Sequence, residues 1–263
     1  MFNDIVKAEV KNIIERIMEG VLHRRLVINP WNLEQEVLCK PFHFALAPEI
    51  VWKGAKFERS LVTSMGQIGW EQIAMVISQG YHGYAENGKA VHGQTFTGRL
   101  NKIHIILDQL EHKRNPDWDK ELTEILAVID GIMTDIHVTS DLFVHNLKFD
   151  KYFYFEIKAP KPNSDQTKVS KEKMLKIKSL YPSDKHQVFF ALPFNPYITR
   201  QNYGHPHPKR WFDMINDKCV LIGKEFWDLI GGAGAYEELL KIFEEVGREY
   251  RPHINREYFG FLD

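Results

Sequence analysis

The apolar positions of this 263-residue chain change period several times along its length. Ile5, Val6, Val10, Ile13, Ile14, Ile17, Val21 and Leu22 recur at helical spacing behind Asn3, a good capping residue, and predict an amphipathic helix over about residues 3–24. Leu26 to Ala55 is broken by Pro30, Pro41 and Pro48 and reads as an irregular connection with no evident site. Helical phase returns with Leu61, Met65, Ile68, Ile73, Val76 and Ile77, which predict a helix over 57–78 despite Gly66 and Gly69. Gly80 to Gly98 is rich in glycine and polar side chains and reads as a long loop, mobile or functional. Residues 101–111 and 118–129 form an αα-hairpin pattern with Asn115-Pro116 at its turn.

Period two appears next. Leu142 to Leu147 is a short apolar run, Lys148 to Lys151 a polar turn, and Tyr152 to Ala159 an aromatic and β-branched run that Pro160 stops. This predicts a β-hairpin. Alternation puts Tyr152, Tyr154, Glu156 and Lys158 on one face and Phe153, Phe155, Ile157 and Ala159 on the other, which directs Glu156 and Lys158 toward a cleft or solvent. A helix over about 170–180, a buried strand at His186 to Leu192, a short strand at Cys219 to Ile222 and helices from Lys224 and Ala235 complete the pattern. Gly231 to Gly234 follows a helix and lacks the ending of a phosphate-binding loop, so it reads as a helix stop.

Composition narrows the class. With 44% hydrophobic and 13% aromatic residues, the chain can bury one large core. No apolar run is long enough to span a bilayer, and the N-terminal stretch is charged and amphipathic, so a cytoplasmic location is expected. Cys39 and Cys219 lie far apart in apolar settings and read as buried thiols. A net charge of −1 excludes binding of a polyanion by bulk charge, yet seven lysines between Lys158 and Lys178 face only Asp165 and Glu172. That run is either a local basic patch or a solvated helix face.

The chemistry concentrates between Ser140 and Pro160. Across the predicted hairpin Asp141 approaches Glu156 and Lys158. Two converging carboxylates are hard oxygen ligands suited to Mg²⁺, and a neighbouring ammonium can hold a water in line with phosphorus and offset developing charge. A Glu-x-Lys triplet alone also suits a solvated strand face, so context decides. That context is the order strand, strand, helix, strand, helix, strand. In it, Asp141, fourteen intervening residues and Glu156-Ile157-Lys158 resemble the PD-(D/E)xK nuclease core, with Ser140 where the family motif carries proline. FERSLVTSMGQIGWEQIA at Phe57 to Ala74, with FEIKAP, resembles type II restriction endonucleases, most closely the TdeIII-like group.

The resemblance implies an α/β fold: a restriction-endonuclease-like core with a central mixed sheet of four to five strands flanked by helices, and a helical N-terminal part. One catalytic domain over 1–263 is expected, divided into 1–131, a nuclease core at 132–232 and a C-terminal helix and tail at 233–263. The implied activity is Mg²⁺-dependent, sequence-specific hydrolysis of double-stranded DNA leaving 5′-phosphate ends. Asp141, Glu156 and Ile157 would be the metal positions and Lys158 would place the attacking water. Such nucleases often carry an extra helical glutamate, for which Glu71 is the candidate and Glu58 the second, although either can simply pair with Arg59 or a lysine. The irregular stretch Phe194 to Arg210 offers Arg200, Gln201, Asn202, His205, His207, Lys209 and Arg210 for DNA contact; arginine reads guanine and the amides read adenine by paired hydrogen bonds. His205 and His207 lack the neighbours of a metal site. A palindromic target would match a homodimer, with a cognate methyltransferase as genetic companion. The alternatives are a structure-dependent repair or recombination nuclease and an inactive DNA-binding protein. Intact Asp141, Glu156 and Lys158 argue against the last, since paired acids repel phosphate unless a cation lies between them.

Overall fold

The computed structural model describes residues 2–112 and 114–261. Contacts divide the chain into two compact units, one holding residues 74–236 with the N-terminal Phe2, the other holding 3–73 and 237–263.

In the unit holding 3–73, α1 (Asp4–His23) begins where predicted, with the Asn3 side chain accepting from Val6 N–H at 2.9 Å. The stretch expected to be irregular is helical: α2 (Leu33–Cys39), α3 (Pro41–Leu46) and α4 (Glu49–Ser64). Its prolines mark the breaks between short helices. Pro41 sits in the first turn of α3 and Pro48 immediately precedes α4, positions that need no backbone N–H. Cys39, at the end of α2, is exposed rather than buried. A wide turn over Met65–Gly69, closed by Trp70 N–H on the Met65 carbonyl, carries α4 into α5 (Trp70–His82), which explains how the helix tolerates two glycines.

The other unit is built on a five-stranded sheet in the order β1-β2-β3-β4-β5. The glycine-rich stretch expected to be a loop is β1 (Gly83–Phe96), paired antiparallel with β2 (Met133–Asn146) from Gly83↔Asn146 to Phe96↔Met133. Pairing along a whole strand overrides poor intrinsic β-propensity. The helices α6 (Thr97–His112) and α7 (Trp118–Leu126) lie between them in sequence. A four-residue turn leads to β3 (Lys151–Ile157), antiparallel to β2 from Leu142↔Phe155 to Asn146↔Lys151. The Asn146 side chain shapes that turn by accepting from Lys148 and Phe149 N–H.

From β3 the chain crosses through α8 (Ser164–Leu180) to β4 (His186–Leu192), parallel to β3. After the short helix α9 (Pro206–Lys209), β5 (Val220–Ile222) adds parallel to β4, followed by α10 (Lys224–Gly231) and α11 (Ala235–His253). Both faces of β3 are covered. Tyr154 joins Phe143, Val188 and Phe190 in a core with Ile103, Leu107, Met174 and Leu175, whereas Phe155 packs on Phe189 and on Phe226 of α10. Glu156, expected to face a cleft or solvent, is closed off from bulk solvent, because in a mixed α/β sheet a central strand is buried on both sides.

Candidate active site

The site forms where β2 and β3 part. The β1–β2 register runs from Asn87↔Leu142 to Lys89↔Ser140, and the intervening Gly88 has φ +63°. Asp141 lies opposite this irregularity, which releases it from regular strand pairing. Ser140 is fully buried, and its hydroxyl bridges the Leu142 and Phe155 carbonyls at 3.0 and 3.1 Å. The serine standing where the family motif has proline thus ties the two strands together beside the site.

Asp141, Glu156 and Lys158 come together as the sequence predicts. Asp141 Oδ2 accepts from the Ile157 N–H at 2.9 Å and from Lys158 Nζ. Lys158 Nζ also stands 3.4 Å from Glu156 Oε2, and the Lys158 N–H bonds to the Ala191 carbonyl at 3.0 Å, extending β3 along β4. Two partners come from α8. Lys173 Nζ lies 3.0 Å from each Glu156 oxygen and 3.5 Å from Asp141 Oδ1, and Ser170 Oγ donates to Glu156 Oε2 at 3.3 Å. Two carboxylates face two ammonium groups.

Burial dominates the electrostatics. The Glu156 side chain is 2% exposed, and its desolvation, reinforced by the Asp141 charge, outweighs Lys158 and Lys173 and pushes its carboxyl up to about 7. Burial alone would lower the Lys158 ammonium, but the adjacent Glu156 and Asp141 charges outweigh it and raise its pKa.

Lys173 and Ser170 were not singled out in the sequence. Ser170, Lys173, Met174 and Ile177 share one helical face, and a lysine at the rim of such a face is the one available signal. The lysine run is not a free basic patch. Lys168 pairs with Glu111, Lys176 with Glu172, and Lys178 donates to the Pro182, Ser183 and His186 carbonyls. Lys171 is fully buried against Glu121, between the Trp118 and Phe212 rings at 5.0 and 4.6 Å.

Glu58 and Glu71 belong to the other unit, Glu58 exposed on α4 and Glu71 half-buried in the first turn of α5. Among the described residues no group of three His, Cys, Asp or Glu side chains forms a metal cluster. In the Phe194–Arg210 stretch, Arg200 is committed internally: its guanidinium donates to the Ile215, Val220 and Asp217 carbonyls and pairs with Glu225. His205 Nε2 lies 2.9 Å from the Pro162 carbonyl, while Gln201, Asn202, His207, Lys209 and Arg210 are exposed.

The family model described as "Type II restriction endonuclease, HinfI" matches residues 6–247. The chain belongs to the HinfI family of type II restriction endonucleases. The subgroup named by this match is that of HinfI. Among curated proteins, the type II restriction enzyme HgiEI of Herpetosiphon aurantiacus is 32% identical over 223 residues, covering 82% of this chain and 80% of the relative. HgiCII of the same organism is 31% identical over 225 residues, covering 82% and 81%. The type II restriction enzyme MjaII of Methanocaldococcus jannaschii is 24% identical over 218 residues, covering 77% of this chain and 56% of that relative. Like other members of the HinfI family, the chain is a sequence-specific endonuclease of double-stranded DNA, and divalent metal is typical of the family. No helix among the described residues is long and apolar enough to cross a membrane.

Proposed function

We propose that Asp141, Glu156 and Lys158 carry out the cleavage with Mg²⁺ as the metal. The observation behind this reading is their convergence at the divergence point of β2 and β3, with a second lysine, Lys173, on the same carboxylates. The donor set suits a hard divalent cation, which the Asp141 and Glu156 carboxylates and the main chain at Ile157 would hold. Bound Mg²⁺ would supply Lewis-acid stabilisation of the phosphoryl oxygens and a more acidic water.

The chain's own groups do the rest. Asp141 and Glu156 would hold the cation, and Glu156, whose carboxyl burial raises to about 7, would do so in its ionised form. Lys158, drawn to both acids, holds the attacking water by hydrogen bonding and offsets charge that builds on the scissile phosphate. Lys173 and Ser170 orient Glu156. Hydrolysis leaves a 5′-phosphate end. Gln201, Asn202, His207, Lys209 and Arg210 are the exposed candidates for DNA contact, with His205 and Arg200 holding the stretch that presents them; Glu71 is kept as a candidate acid, tested by Glu71→Gln. A homodimer acting on a palindromic site, in the cytoplasm and beside a cognate methyltransferase, completes the reading.

The test is cleavage of phage DNA by the purified protein with Mg²⁺ and with EDTA, alongside Lys158→Ala. Discrete fragments that disappear in both controls are expected, with duplex binding retained by the variant. Undiminished cleavage by Lys158→Ala would remove the lysine from the mechanism.

A further inference from the structure

The unit that holds 3–73 contains a second polar site, lined by residues given no part in the proposed cleavage. A cavity of about 480 Å³ is lined by Arg24, Arg25, Lys40, Lys56 and Arg59, with Glu36 as its one acid and His43 and Trp52 at its wall. Glu36 already neutralises two of these cations: its carboxylate bonds to Lys40 and Lys56 at 2.6 and 2.8 Å, which holds its pKa below the usual carboxylate range. The three arginines have no such counterpart among the described residues.

Arg25 makes the case. It is 9% exposed, in a wide turn that follows α1, beside an apolar cluster of Val21, Phe57 and Tyr258. Its Nε is buried with no acceptor, and so is the hydroxyl of Ser60, 6% exposed, on the same cavity wall. A guanidinium N–H buried without an acceptor is costly, and an anion entering the cavity would complete it. The donor types converging here are guanidinium, ammonium and hydroxyl, against a single carboxylate that two lysines already engage. That set selects a tetrahedral oxyanion, which arginine grips through paired hydrogen bonds. The volume admits a phosphate with its attached sugar.

We infer that the Arg24–Arg25–Arg59 cavity is a phosphate-binding site, filled by a backbone phosphate of DNA or by a free phosphorylated compound. The DNA arm rests on the endonuclease reading; the phosphate chemistry does not.

The experiment uses the full chain in EDTA. Thermal unfolding is followed as inorganic phosphate replaces chloride at constant ionic strength, for wild type, Arg25→Met and Arg59→Ala. Phosphate is expected to raise the wild-type midpoint by a few degrees and to leave both variants unmoved. Arg25→Met should also raise the phosphate-free midpoint, because it removes a buried donor that has no acceptor while keeping the aliphatic stem. Exposed Arg59 keeps the test open should Arg25→Met fail to fold. In parallel, anisotropy with a short fluorescent duplex is recorded across a salt series. If the source is DNA, Arg59→Ala binds more weakly on every sequence and its salt slope falls by about one. A phosphate shift lost in the variants with unchanged duplex binding assigns the site to a free phosphorylated compound. No phosphate shift in wild type, or a shift that persists in both variants, overturns the inference, and neither outcome depends on whether the protein cleaves DNA.

Discussion

Replacing Lys171 by methionine isolates one counter-charge in the interior beneath α8. Both members of the Lys171–Glu121 pair have fully buried side chains; they meet as an ion pair rather than an aligned hydrogen bond. Burial already raises the Glu121 carboxyl, against the pull of Lys171. Lys171→Met therefore leaves a carboxylate with one main-chain donor, the Asp117 N–H at 3.1 Å. Breaking a buried pair from one side costs about 3–5 kcal/mol, whereas removing both charges is often close to neutral. Glutamine at 121 keeps the acceptor for Asp117, so Lys171→Met with Glu121→Gln is expected to recover at least about 2 kcal/mol over the sum of the singles, the usual range of coupling between contacting groups. Urea unfolding, followed by both circular dichroism and tryptophan fluorescence, measures the cycle once the two transitions coincide. The Lys171→Met deficit should also shrink toward pH 5. A carboxyl whose folded pKa lies above its unfolded value contributes stability at low pH that is lost as pH rises through the folded pKa. Additive single effects would refute the account and make Lys171 a packing residue only.

The structure makes three further predictions, two of them at the site. With Glu156 pushed up to about 7, the metal-free protein loses stability from this group as pH rises from the ordinary carboxylate range through about 7, so the midpoint shift caused by Mg²⁺ should be larger at pH 8 than at pH 6, and cleavage at limiting metal should rise with pH and level off above about 7. Lys173→Met removes an ammonium that lies 3.0 Å from both Glu156 oxygens; calorimetry at pH 8.5 should find divalent-metal affinity tighter by roughly tenfold, the order of one nearby charge, and unchanged affinity would deny that the lysine competes with metal. Arg200→Ala frees three carbonyls and Glu225, and should lower stability by about 2 kcal/mol in urea; a variant as stable as wild type but altered in sequence preference would return Arg200 to the base-reading set.

What the sequence made legible follows from which forces it displays. The run from Tyr152 to Pro160 and His186–Leu192 announce strands because apolar continuity and a proline stop are local signals, and both strands appear with bounds close to those expected. The spacing of Asp141 and Glu156 needed only the hairpin. β1 was not legible, since its glycines and polar residues are held by a partner some 50 residues away along the chain rather than by their own preference. Lys171 and Lys178 read as surface charge because a lysine carries no mark that separates a solvated position from one closed by Glu121 or by three carbonyls. The basic cavity escaped notice for a related reason: its arginines come from two segments, around Arg25 and around Arg59, that only folding brings together.

The β2–β3 register has a consequence for the proposed catalysis. Five consecutive pairs, from Leu142↔Phe155 to Asn146↔Lys151, align the two acids. Slipping that ladder by one residue would send Glu156 to the side now occupied by Phe155, and no intermediate alignment exists. The catalytic assignment proposed for Asp141 and Glu156 therefore requires this one register. Under that assignment, a copy slipped in register lacks the paired acids and does not cut.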